Sequence, residues 1–241
     1  PRPRHPRPRH PRGLQCVTPE PGKSRSVIAR EIKQKEAAIE YLARRYSSAQ
    51  LPPEELRQTL GDYPQMFEAL LAGHGFRFAT WDVENGQMPE TVADADGWLV
   101  TGSRHAVYED HTWIPPLETF ICTIYAAGIP LIGVCFGHQI IAQALGGKVE
   151  KFRAGWNIGR TEYTFEGRPM ALNAWHQDQV ITCPKEAQVI GGNDFCENAF
   201  LLYGNRAFTV QAHPEFGASI IAGLNSTRAP GVVPQPLIDA A

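Results

Sequence analysis

Residues 129–147 read Ile-Pro-Leu-Ile-Gly-Val-Cys-Phe-Gly-His-Gln-Ile-Ile-Ala-Gln-Ala-Leu-Gly-Gly, and no other stretch restricts the fold so far. The apolar run from Ile129 to Val134 has the length and bounding of a buried strand. A Gly-x-Cys-x-Gly turn follows at Gly133, Cys135 and Gly137. Beyond it Ile140, Ile141, Ala144 and Leu145 recur at helical spacing, and Gly146-Gly147 predicts the helix stop. Strand, sharp turn and helix with a nucleophile at the apex form an elbow, here with Cys in place of Ser. Glycine on both sides tolerates the backbone angles of so tight a turn and leaves room around the nucleophile. A thiol at a helix N-terminus feels the positive end of the macrodipole, which favours the thiolate. The backbone N–H of Phe136 then points where an oxyanion would form. Alone, Cys135 reads equally as a small buried hydrophobe. The elbow makes it a nucleophile only if a His elsewhere serves as its base.

The bulk properties bound the alternatives. A chain of 241 residues with 43% hydrophobic content accommodates one α/β domain of about 190 residues plus an extension. A net charge of −2 argues against a nucleic-acid partner for the protein as a whole. Cys16, Cys122, Cys135, Cys183 and Cys196 contain no Cys-x-x-Cys pair, which fits reduced thiols in a cytoplasmic protein better than a disulfide framework. The scattered His and Cys show no metal-ligand spacing, so no metal and no cofactor are expected. No apolar run approaches the ~20 residues of a membrane span, and the N-terminus has no apolar signal segment.

Residues 1–50 differ from the rest. The opening Pro/Arg/His repeat is basic and low in complexity, with nothing to pack, and predicts a solvated extension. Ser26 to Tyr46 carries a thin helical pattern. The first residue is Pro rather than Met, so the start reads as processed, truncated or otherwise not the natural one. From Leu51 the character changes. Pro52 to Leu56 looks like a helix or loop entry, and Tyr63, Met66, Phe67, Leu70 and Leu71 predict a helix ended by Gly73-His74-Gly75. Strands are expected over Phe76–Val83 and Trp98–Thr101, the latter closed by Gly102-Ser103. A helix is expected over Trp113–Ala127, with Pro115 and Pro116 tolerable in its first turn. After the elbow, strands are expected at Lys148–Phe152, Gly159–Phe165, Ala171–Val180, Ala187–Gly191 and Ala199–Tyr203. Gly204 to Arg206 predicts a hairpin turn into Ala207–Ala212, and a helix runs from Ala218 to Thr227. Alternating strands and helices in the first half argue for an α/β fold with a mostly parallel central sheet flanked by helices. The strand-rich segment 148–212 adds a small antiparallel insertion or edge.

A nucleophilic Cys needs a base, and the base an orienting group. His213 ends a strand that can lie beside the elbow strand. Pro214 biases it towards extended geometry, which would carry Glu215 to the same side. His138 on the elbow helix and His176 in Trp175-His176-Gln177-Asp178 are also candidates, and spacing does not choose among the three.

The motif Gly133-Val-Cys-Phe-Gly-His-Gln139, followed by His213-Pro214-Glu215, resembles the class I (triad) glutamine amidotransferases, over about Leu51 to Phe216. It is most similar to stand-alone members, the amidotransferase domain of GMP synthase and the plant γ-glutamyl peptidases. The resemblance implies a flavodoxin-like fold, with an extension at 1–50, the domain at 51–228 and a tail at 229–241. It also implies a cysteine hydrolase or transferase. Cys135 would attack a γ-glutamyl carbonyl to form a thioester, His213 would carry the proton and Glu215 would orient His213. The N–H groups of Phe136 and of the Gly102-Ser103 turn would form the oxyanion hole. Gln139, Trp175, His176 and Asp178 would hold the glutamate portion. Against these roles, Gln139 also reads as a solvated helix residue and Asp178 as a turn residue. Trp156 and Asn157 read either as pocket lining or as core cover.

The implied substrate is glutamine, with ammonia released or passed to a separate synthase subunit, or else a γ-glutamyl peptide that is simply cleaved. A DJ-1-like redox sensor would place His directly after the Cys, where Phe136 stands, and would lack His-Pro-Glu. An inactive subunit would not need the intact Cys, His and Glu. One departure stands out. Family members open with a hydrophobic strand just before the position of Leu51, whereas this chain has the charged, poorly alternating Tyr41–Gln50. Either this segment is a poor strand, or a genuine extension replaces the strand, or the first 50 residues come from a wrong start or a frameshift; the last is the expectation adopted here.

Overall fold

The computed structural model describes the backbone of Arg45–Ser47 and residues 63–241. The expectations for the rest of residues 1–62 lie outside the described residues; these are the extension, most of the thin helix after Ser26 and the entry at Pro52–Leu56. Arg45–Ser47 is a strand, β1, lying parallel between β2 (Thr80–Trp81) and β3 (Trp98–Val100). A three-residue strand therefore stands where the resemblance calls for an opening strand. The strand expected over Phe76–Val83 is only Thr80–Trp81, at the sheet edge, where its partners among the described residues are Tyr46 and Ser47.

The elbow strand β4 (Leu131–Val134) pairs parallel with β3 on one side and with β11 (Ala207–Val210) on the other. Beyond β11 the same sheet continues antiparallel through β10 (Phe200–Tyr203), β9 (Gln188–Gly192), β6 (Asn157–Phe165) and β7 (Arg168–His176). The order is β2-β1-β3-β4-β11-β10-β9-β6-β7. The antiparallel part is thus a large continuation of the sheet edge. The strand expected over Ala171–Val180 breaks at Gln177, whose carbonyl accepts from Phe152 N–H at 3.0 Å. Its second half, β8 (Asp178–Thr182), leaves the main sheet to pair with β5 (Lys148–Lys151).

Alternation along the central strands puts side chains on both faces, and both are covered. Trp98 and Val100 pack with Leu117, Ile121 and Ile124 of α2 (Ile114–Ala127) and with Ile140 and Ile141 of α3 (Phe136–Ala144). Leu99, Ile132 and Val134 face the opposite cluster with Phe67, Tyr163 and Phe200. The helix α1 (Tyr63–Leu70) contributes Tyr63 and Met66 to a third cluster with Phe216 and with Ile220, Ile221 and Leu224 of α4 (Ala218–Thr227). The tail carries a short helix, α5 (Gln235–Ala240); Val233 is buried and Ala241 sits against Gly159. Among the described residues no helix is long and apolar enough to cross a membrane.

The elbow helix is buried from Phe136 through Ala142, and it lies this close to the sheet only because two positions lack a side chain. A Cβ on Gly137 would sit 2.0 Å from the Val100 carbonyl oxygen, and one on Gly133 would sit 2.5 Å from the Gly137 oxygen. These are backbone atoms, one of a central strand and one of the elbow helix, and cannot swing aside. Gly137→Ala should therefore destabilise the fold by about 3 kcal/mol or more, the upper range for overpacking. Urea unfolding checks this, and a loss below 1 kcal/mol would mean that the helix can retreat from the sheet.

Candidate active site

Cys135 stands at the junction of β4 and α3 with φ +52° and ψ −102°. Among the described residues only Glu166 shares a positive φ without being glycine. Such backbone costs of order 1–3 kcal/mol and persists where the surroundings over-determine it. Here they do: Cys135 N–H donates to the Val210 carbonyl at 2.9 Å, Gly137 N–H to that of Thr101 at 3.1 Å, and Gln139 N–H to that of Cys135 at 3.1 Å. Phe136 N–H takes no backbone acceptor among the described residues, so it is available at the helix N-terminus.

His213 follows β11, the parallel neighbour of the elbow strand, and meets Cys135 there. Three contacts fix its ring. Nδ1 lies 2.7 Å from Glu215 Oε1, and both side chains are buried. The ring stacks on Phe216 at 4.0 Å between centroids with 3° between planes. Its backbone N–H donates to Asn173 O of β7 at 2.8 Å, so the antiparallel edge of the sheet curls back to the end of β11. Cys135 lies beside the ring, close enough to act on its charge. Burial works against the charged ring, but the Glu215 carboxylate and then Cys135 raise it to about 10, which favours the imidazolium at neutral pH. Gly102 closes the third side. A Cβ there would lie 2.9 Å from His213 Cε1 and 3.8 Å from Cys135 Cβ, so only a bare backbone fits beside the pair.

The other two histidines stand apart from this role. His138 is wholly buried with Nδ1 at 2.8 Å from Thr209 Oγ1, and burial pushes it down to about 3. His176 is likewise pushed down to about 3, by burial and then by His213, and stays neutral with Nδ1 at 3.2 Å from the Asp178 carbonyl.

Cys135 and His213 open onto a cleft of about 330 Å³. Tyr63, Trp156 and Trp175 supply aromatic walls, Arg104, Lys151 and Arg228 supply cations, and Glu109 and Asp178 supply carboxylates. Ser103, Gln139 and His176 also line it. A larger cavity of about 550 Å³ lies behind His213, between β7 and α4, and Cys135 is not part of its lining. The cleft with the thiol is the one with chemistry.

Two open readings are decided here. Gln139 is buried, not solvated, and its amide nitrogen donates to the Asp178 carbonyl at 2.9 Å and to Gln211 Oε1 at 3.1 Å. Only its oxygen remains for a ligand. Trp156 faces the cleft beside Trp175, whereas Asn157 turns to Tyr163. Asp178 accepts from Tyr108 Oη at 3.0 Å, and burial raises its carboxyl.

Asn173, Phe216, Tyr108, Arg104, Lys151 and Arg228 carry no local motif and were not anticipated. No metal site was expected from residue spacing, yet the loop after β3 gathers ligand atoms of His105, Glu109 and His111 within 4.8 Å of one another. Among the described residues Cys122, Cys135, Cys183 and Cys196 form no disulfide with one another.

Comparison with known proteins places this geometry among relatives. A family model for class-I glutamine amidotransferases matches residues 70–220, well over half the chain. Gamma-glutamyl peptidase 2 of Arabidopsis thaliana is 27% identical over 194 residues, covering 74% of this chain and 78% of that one. The glutamine-hydrolyzing GMP synthase of Staphylococcus saprophyticus is 33% identical over 127 residues, 49% of this chain and 24% of that one. The crystal structure of a glutamine amidotransferase from Methylobacillus flagellatus superposes with a TM-score of 0.67 at 22% identity, covering 81% of this chain and 80% of that one.

The His213–Glu215 contact has a direct signature. Side-chain NMR of labelled histidine should find His213 still protonated at pH 8. Glu215→Gln removes the carboxylate that favours the cation, so the midpoint must fall, by roughly one unit or more. A wild-type midpoint near 6.5, or one unmoved by the substitution, would assign the ring's state to something other than Glu215.

Proposed function

Because the chain belongs to the class-I glutamine amidotransferases, we propose that it hydrolyses γ-glutamyl amides through a thioester on Cys135. The observation that carries this reading is the buried His213–Glu215 pair, with its ring against a strained Cys135. The Cys135 sulfur adds to the γ-carbonyl carbon, and the carbonyl electron pair moves to oxygen. The Phe136 N–H and the Gly102-Ser103 turn stabilise that oxyanion, a contribution of typically 3–4 kcal/mol for one well-placed donor. When the oxyanion collapses the C–N bond breaks, and imidazolium His213 protonates the departing nitrogen. Neutral His213 then takes a proton from water as its oxygen attacks the thioester carbonyl; the C–S bond breaks with its electron pair going to sulfur, releasing glutamate and restoring the Cys135 thiolate beside imidazolium His213. Glu215 holds the ring orientation and the cation throughout.

Asp178 and the oxygen of Gln139 would receive the α-ammonium of the glutamyl group, and a cation of the cleft its α-carboxylate. The cation surplus favours one substrate within this class. Arg104 and Lys151 face Asp178 and Glu109, and Glu109 is already held by His105 and His111. Free glutamine brings one carboxylate. A γ-glutamyl peptide brings a second at its C-terminus, and the surplus would hold it. Simple cleavage of such a peptide needs no synthase subunit, whereas transfer of ammonia to an acceptor would.

Treatment with 6-diazo-5-oxonorleucine followed by peptide mapping should give one adduct, on Cys135, and none in Cys135→Ala. His213→Ala should cost rate by at least 10²–10⁴-fold, and Glu215→Gln roughly two orders of magnitude less than His213→Ala. Release of ammonia from glutamine and of glutamate from a γ-glutamyl dipeptide separates the substrates, with the dipeptide expected to be faster. Arg104→Ala should raise KM for the dipeptide more than for glutamine. Absence of an adduct on folded protein would remove the thioester mechanism.

A further inference from the structure

The loop that carries Ser103 holds a second cluster of chemistry outside the Cys135 pair. Glu109 Oε2 lies 2.9 Å from His105 Nδ1 and 2.7 Å from His111 Nε2. Two imidazole nitrogens thus meet at one carboxylate oxygen, and the three atoms lie within 4.8 Å of one another. We propose that His105, Glu109 and His111 form a binding site for one divalent transition-metal ion of the zinc class at the rim of the cleft.

Each of the three groups is already aimed by an outer contact. The far nitrogen of His105, Nε2, lies 3.2 Å from Glu84 Oε1, which leaves Nδ1 as the metal-facing atom. Glu109 keeps its other oxygen, Oε1, on the Ala106 N–H at 3.1 Å. The His111 ring stacks on buried Trp113 at 5.6 Å with 15° between planes. A carboxylate behind a ligating imidazole is the usual means of setting its tautomer and basicity. The spacing fits with little movement. Tetrahedral zinc with bonds near 2.0–2.1 Å separates its ligand atoms by roughly 3.3 Å, so each imidazole needs to part from the Glu109 oxygen by only a few tenths of an ångström, and the two imidazole nitrogens already lie within 4.8 Å of each other. Side-chain exposures of 16%, 33% and 42% for His105, His111 and Glu109 leave an entry path and an open coordination position. Two nitrogens and one oxygen select a borderline ion over magnesium or calcium, which prefer all-oxygen sets. An ion here would also tie down the oxyanion loop, because Ser103 Oγ accepts the His105 backbone N–H at 3.1 Å.

The test does not depend on turnover. Metal-stripped full-length protein is titrated with Zn²⁺ against a chromophoric chelator, and separately with Co²⁺ while its absorption spectrum is followed. One Zn²⁺ per chain should bind, and the Co²⁺ complex should show ligand-field bands without thiolate charge transfer. Cys135→Ala should retain the site. His111→Ala, whose side chain lies outside the cleft lining, should lose at least 100-fold in affinity. Glu109→Gln, which keeps the side-chain volume, should also lose affinity, so the test survives if one variant fails to fold. Glu84→Gln should cost about 10–100-fold. Equal affinity in His111→Ala and wild type, thiolate charge transfer, or loss of binding in Cys135→Ala would overturn the assignment.

Discussion

The arrangement around the Cys135 thiol depends on the backbone of that residue being held at positive φ. That conformation is unfavourable for an L-residue, so it survives only inside a tight frame. The frame is built from sheet neighbours. Val210 and Thr101 supply acceptors from β11 and from the end of β3, and Gly137 presses against Val100 without a side chain between them. Because the parallel strands β3, β4 and β11 end together, the thiol emerges where a ligand can reach it, at the carboxyl ends of the sheet. An elbow helix buried from Phe136 to Ala142 makes the geometry expensive to distort.

The electrostatics follow from the same burial. His138, His176 and His213 all lie in the interior, and burial disfavours charge on each. Only His213 has a carboxylate in contact, so positive charge is concentrated on the one ring that touches Cys135. His176 is kept neutral partly by that charge. A single cation in a neutral interior can hold a thiolate and later release its proton to a leaving group. Three competing cations could not do this with the same direction.

Much of this was legible along the chain. The elbow, the helix from Ile114 and the hairpin at Gly204–Arg206 are local features, written in glycine placement and apolar spacing over a dozen residues. His-Pro-Glu was legible as a local motif, but the extended run expected through Pro214 is instead a turn, closed by Phe216 N–H donating to the His213 carbonyl at 3.3 Å, and it is this turn that sets Glu215 beside the ring. Other parts were not. The strand at Arg45–Ser47 has no alternating pattern, and its extent is set by its neighbours. The break at Gln177 depends on Phe152 claiming its carbonyl. Asn173 reaches His213 only because a sheet of nine strands curls, and no spacing encodes that curl. The cluster at His105, Glu109 and His111 has short spacing, but its loop path decides whether the three groups converge.

By itself, then, the amino-acid order determined the candidate nucleophile, its turn and the family to which the chain is akin, because steric limits at glycine and proline act between adjacent residues. Tertiary structure decided which buried histidine has a carboxylate beside it, that the Gln139 amide is occupied by Asp178 and Gln211, and which charges share a cleft. Those outcomes depend on burial and on distances between residues 40 to 80 positions apart, such as the 2.9 Å from Gln139 to Asp178 and the 3.1 Å from Gln139 to Gln211. Desolvation and Coulomb energies vary steeply over such distances, and only a folded chain sets them.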